Sequence, residues 1–111
     1  MRAETQGNVE AIEKTLKLLA QRMDWETAPH RLEEFDAMIE SPDLWNDPAK
    51  AQKLMRDRQA LMDAVAGYKL LSGGLKDNVE LIELGEMEGD TEIVTEAERA
   101  LTDLVKLAEE K

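Results

Sequence analysis

The sequence predicts an all-α fold, an antiparallel helical bundle or coiled coil of about four helices with one long central helix. Three observations carry this. Apolar residues recur at steps of three and four in four separate stretches, the spacing of one helical face. Ala, Leu, Glu and Lys dominate, and only four of the 111 residues are aromatic, a balance that favours helices over sheet. Proline, glycine and aspartate gather at the few points between the stretches, where helices should end. The length suits one domain, 1–111, or a piece of a larger protein, with helices at about 4–22, 25–40, 48–87 and 91–110.

In the first stretch Val9, Ile12, Leu16, Leu19 and Met23 form a narrow apolar stripe. Asp24 is placed to cap the next helix, with Trp25 covering the junction. Ala28, Leu32, Phe35 and Ile39 continue the pattern, widened by Met38, and Pro29 fits only within the first turn or so of that helix. Ser41-Pro42 ends it. The connector that follows holds two prolines, two aspartates, an asparagine and Trp45, which should plug it onto the bundle. Asp47 can cap the third helix and Pro48 can open it.

The third stretch runs through Leu54, Arg58, Leu61, Val65, Tyr68, Ser72, Leu75, Val79 and Ile82. Gly73-Gly74 costs roughly 2 kcal/mol relative to alanine, yet the three-four phase passes through it unbroken. That favours one helix of about 40 residues, or about 60 Å, over a hairpin at the two glycines, which is the alternative. Arg58 falls on the apolar seam, where it snorkels or pairs with a carboxylate of a neighbouring helix. Glu88-Gly89-Asp90 supplies the next turn, with Asp90 as cap, and Val94, Ala97, Leu101, Leu104 and Ala108 mark the last helix. On this plan the first two helices cover the first half of the long helix, and the fourth folds back along its second half.

The chemistry expected from these residues is binding, with no catalytic, cofactor or metal residue assigned. His30 is the single histidine, cysteine is absent, and neither a second imidazole nor a thiol is available to share a metal or be activated. The carboxylates fall on polar helical faces, without a fixed pair in an apolar segment. Gly73-Gly74 lacks the GxxxxGK[ST] pattern of a phosphate loop. The absence of thiols fits a reducing cytoplasm. No apolar stretch approaches the roughly 20 residues that span a bilayer, and the first residues lack the apolar core of a secretory signal.

Net charge is −11 and uneven: from Asp77 onward 12 acids face three bases, whereas residues 1–76 hold 13 against 11. Nucleic-acid binding rests on cations that displace counterions, so autonomous binding is not expected. The acidic third either solvates a helical face or meets a basic protein. Lys50, Lys53 and Arg56 form the local basic cluster at the start of the third helix, on roughly one side of it. They touch RNA backbone within a larger assembly or pair with acids such as Asp47 and Asp57.

Residues 40–61, ESPDLWNDPAKAQKLMRDRQAL, resemble the start of the long helix in the bacterial peptide chain release factor 2 family. Pro42, Asp43, Trp45, Asn46, Asp47 and Pro48 match its connector, and Ala51-Gln52 matches the pair that opens its helix. Asp24-Trp25, Arg31-Leu32-Glu33-Glu34, Gly74-Leu75, Leu81, Glu83-Leu84 and the turn at Asp90 extend the likeness over nearly the whole chain. A sibling family, for the other stop-codon set, shares a related helical domain. The resemblance implies a role in translation termination at UGA and UAA codons, with hydrolysis of peptidyl-tRNA on the ribosome promoted by the full-length factor. The family's Gly-Gly-Gln and Ser-Pro-Phe motifs do not occur here: Gly73-Gly74 is followed by Leu75, and Ser41-Pro42 by Asp43. It therefore implies an N-terminal helical domain that docks near the ribosomal stalk base and GTPase-associated region, and towards the recycling GTPase. The helical ending at Glu109-Glu110-Lys111 suggests a fragment of a longer factor. A free-standing coiled-coil adaptor is the alternative.

Overall fold

A computed structural model describes residues 1–111. Four α-helices and one short 3-10 turn account for the chain: α1 (Ala3–Met23), α2 (Ala28–Ile39), η1 (Leu44–Asn46), α3 (Pro48–Glu88) and α4 (Thr91–Glu109). The long central helix is present and runs through Gly73-Gly74 without a break. None of these helices is long and apolar enough to cross a membrane. The residues group into two compact units, one formed by Met1–Leu19 with Tyr68–Lys111, the other by Ala20–Gly67.

In the first unit Ile12, Ile82, Ala97 and Leu101 are buried together, with Val9, Leu16, Leu75, Val94, Leu104 and Val105 packed against them. Val9, Ile12 and Leu16 of the α1 stripe therefore cover the second half of α3, where the sequence pattern had assigned them to the first half. Met23, at the end of the stripe, borders Leu61 and Ala64 of the first half. Spacing identifies which face of a helix is apolar but says nothing of which apolar face it meets. The Asn8 amide lies 3.5 Å from the Thr102 hydroxyl, and Arg2 and Thr5 both reach Glu98. Ascending residues of α1 thus meet ascending residues of α4, so these two helices run in the same direction. Leu71 is fully buried although it lies off the predicted stripe of α3.

Two backbone devices bound the helices in the same way. After α3, Gly89 takes φ +70° and the Asp90 N–H donates to the Gly85 carbonyl at 2.8 Å. After α1, Asp24 takes φ +53° and the Trp25 N–H donates to the Ala20 carbonyl at 3.0 Å. Each is a left-handed residue closing a six-to-one bond, which satisfies a carbonyl that the helix end would otherwise leave unpaired. Close approach shapes the α3–α4 turn as well, for a Cβ at Gly85 would sit 2.7 Å from Val94 Cγ2.

In the second unit Met23, Ala28, Ala51 and Leu61 are buried. α2 begins at Ala28 rather than near residue 25, because Pro29 has no N–H to donate and is tolerated only in the first turn. Asp24 does not cap α2, whose N-cap is Thr27. The left-handed Asp24 closes α1 instead, and its carbonyl accepts from the N–H groups of Thr27 and Ala28 in the turn between the helices. The Arg31 guanidinium donates to the Met23 carbonyl at 2.6 Å, placing positive charge on the negative end of α1. Arg58 pairs with Asp36 at 2.7 Å, the neighbouring-helix carboxylate expected for a base on the seam.

Candidate functional site

The connector before α3 is built by mutual satisfaction of its polar groups. The Ser41 N–H donates to the Met38 carbonyl, the Leu44 N–H to Ser41, the Asn46 N–H to Asp43, and the Asp47 N–H to Leu44. Asp47 then turns the chain into an extended conformation, and its carboxylate accepts from the Lys50 N–H at 3.3 Å. Pro48 opens α3, where its missing N–H costs no helical bond. Pro42, Asp43, Trp45, Asn46, Asp47 and Pro48 are thus one continuous element, with η1 at its middle.

Trp45 departs from its expected place. Its indole N–H donates to the Ile39 carbonyl at 2.9 Å, tying the connector to the end of α2, but the residue is 54% exposed. An amphipathic ring with its donor satisfied by the backbone does not need to be sunk in a core. Its open side borders a cleft of about 470 Å³ with Pro48, Ala51, Gln52, Met55 and Arg56.

The structure divides the basic cluster. Lys50 and Lys53 border a different cleft, of about 410 Å³, whose apolar lining includes Met38, Leu44 and Leu54. Successive steps of three advance by about −60° on a helix, so Lys50 and Arg56 end about 120° apart. Lys53 pairs with Asp57 at 3.0 Å across one turn, while Lys50 and Arg56 make no ion pair. His30 is exposed and contacts Glu34 at 3.0 Å.

Sequence reasoning missed one cluster. Glu98 is only 8% exposed, and one carboxylate oxygen accepts from Arg2 Nε at 2.9 Å and from the Thr5 hydroxyl at 2.6 Å. The Arg2 hydrogen bond, followed by that of Thr5, holds the Glu98 carboxyl below the ordinary glutamate range against the opposing effect of burial. Its position beside the first turn of α1 adds the favourable end of that helix dipole. A carboxylate kept ionised in this way is a structural tie and not a general acid. The signal was present, for Glu98 lies four residues after Val94 and three before Leu101, on the seam itself.

A family model described as the PCRF domain matches residues 28–111, from the first residue of α2 to the last residue of the chain. Among curated relatives, peptide chain release factor 2 of a Ruegeria species is 61% identical over all 111 residues, which is 30% of that protein. The same-named protein of Roseobacter denitrificans is 56% identical over the same span and again 30% of its length. That of Paramagnetospirillum magneticum is 44% identical over 108 residues, 29% of its length. The chain therefore spans about a third or less of the relatives it matches, and α1, which precedes the family match, is covered by them. With its uninterrupted α3, its Trp45 connector and this match, the chain belongs to the PCRF-domain family, alongside proteins named peptide chain release factor 2.

Proposed function

We propose that this chain is the N-terminal docking and positioning part of a longer peptide chain release factor that acts in translation termination at UGA and UAA codons in the cytoplasm. The observation that carries the reading is the extent of the match: all 111 residues align, but with only 30% of a relative named for peptide chain release. The remaining length of such a factor has room for the codon-reading and hydrolysis motifs that this sequence lacks. The 111 residues are not an enzyme on this reading. They bring no acid–base pair to the reaction, and their one buried carboxylate is committed to Arg2 and Thr5.

The partner is the ribosome, near the stalk base and GTPase-associated region, and the recycling GTPase is a second contact. Lys50, Lys53 and Arg56 face RNA backbone there, with the Pro42–Pro48 element holding the start of α3 in place. The ion pair of Lys53 with Asp57 makes Lys50 and Arg56, which have no carboxylate partner, the stronger candidates.

The test compares ribosome affinity and peptide release for the full factor with and without residues 1–111, on ribosomes programmed with UGA. Weaker binding with hydrolytic capacity retained at saturating factor is the expected result. Unchanged binding and release would sink the docking role. Hydrolysis of peptidyl-tRNA by the 111-residue chain alone would sink the assignment as non-catalytic.

A further inference from the structure

α3 carries a second apolar row, on the side turned away from the core of the first unit. Leu70, Leu81 and Leu84 are 57%, 41% and 44% exposed, whereas Leu71 and Ile82 are fully buried. At about 100° per residue Leu70, Gly73, Asp77, Leu81, Leu84 and Glu88 fall within about 80° of arc, one continuous strip along the helix. Nothing lies within 4 Å of where a Gly73 Cβ would be, so the backbone there is open to close approach.

The charges on the strip have one sign. Asp77 and Glu88 lie within it and Glu80 along its edge, and none of the three has an ion-pair partner. Lys69 and Lys76 lie beyond Glu80 on that same edge, about 20–40° further round, so the charges within the strip itself are those of Asp77 and Glu88. Exposed leucines interleaved with unpaired carboxylates form an amphipathic surface that lacks its complement.

We propose that this row is the docking face for a basic amphipathic helix of a partner protein. Its apolar positions step as a helix partner requires, and lysine or arginine flanking the partner's apolar stripe would meet Asp77, Glu80 and Glu88. A second copy of the chain would set these acids against their own kind. Nucleic acid would meet carboxylates where it needs cations. The proposal rests on this strip and is independent of the ribosome-facing role given to Lys50 and Arg56.

The probe is a designed helical peptide of about three heptads with a leucine seam flanked by lysines, and a counterpart flanked by glutamates. Each is titrated into the isotope-labelled 111-residue chain by nuclear magnetic resonance. The lysine peptide is expected to perturb amides of residues 70–88, and the glutamate peptide is not. The pair Leu81→Ser with Leu84→Ser should weaken binding about tenfold or more, as loss of central apolar anchors does. Asp77→Lys with Glu88→Lys should weaken it comparably and admit the glutamate peptide, while Glu92→Lys with Glu96→Lys on α4 should change it by less than about twofold. All these positions are exposed, so folding is retained and checked by the same spectra. Absence of binding, perturbations spread evenly over acidic surface, or indifference to the leucine substitutions overturns the proposal. Sedimentation showing a dimer that Leu81→Ser with Leu84→Ser abolishes overturns it in favour of a second copy.

Discussion

At the scale of single residues, Glu98 ties α1 to α4. Its folded pKa is lowered, so its contribution is fully present above the ordinary glutamate value of about 4.3 and is lost as pH falls through the lower folded value. Glu98→Gln should therefore be less stable than the native chain at pH 7, with the difference closing on acidification below about pH 4. Urea denaturation of both proteins from neutral to acid pH measures it; a difference that stays constant would show that the charge is not what stabilises. Asp24 poses the opposite case, a non-glycine residue in the left-handed region. Asp24→Gly should raise stability by about 0.5–1 kcal/mol, read from the urea midpoint. The sequence marks Asp24 as a boundary residue but not as left-handed, since aspartate caps and aspartate C-termini use the same letter.

At the scale of elements, the glycines of α3 separate by what surrounds them. Gly73 faces open space, so Gly73→Ala should stabilise by about 1 kcal/mol through helix propensity alone. Gly85 faces the Asp90 carbonyl at 3.0 Å as well as the Val94 methyl, and backbone cannot rotate aside. Gly85→Ala should destabilise by about 1–3 kcal/mol. Thermal melts of the two variants give opposite signs if this reading holds. The continuity of α3 was legible because the apolar phase crosses Gly73-Gly74. The close packing at Gly85 was not, because a glycine among Leu84 and Glu86 leaves no periodic trace. The caps at Asp47 and Asp90 were legible, since each needs only a carboxylate and a helix three residues on.

At the scale of the whole molecule, 25 acids against 14 bases repel one another in the folded state more than in an expanded one. Screening should relieve this, so the melting temperature should rise by a few degrees between low salt and about 0.5 M sodium chloride. A fall would mean that the few surface ion pairs outweigh the net repulsion. The fold class was readable from periodicity, which is a local property repeated four times. The pairing of α1 with α4 and the second half of α3 was not, because several helices offer equivalent apolar stripes and only polar contacts such as Thr5 with Glu98 choose among them. The spread of Lys50, Lys53 and Arg56 around α3 was underestimated, because a step of three reads as one face over a single turn and drifts to another over two.

The parallel run of α1 and α4 also sets an order of events during synthesis. α3 and α4 are joined by a tight turn and can pair as soon as both exist, closing only a short loop. α1 is made before either of them, yet its carboxylate tie lies 93 residues downstream of Thr5. It must wait as an isolated helix, marginally stable in water, until the second half of α3 has emerged, and its site is complete only with α4. Contacts from α1 should therefore form late, and Thr5→Val should speed unfolding far more than it slows refolding in stopped-flow measurements. Most of these 111 residues would be made with one apolar stripe bare.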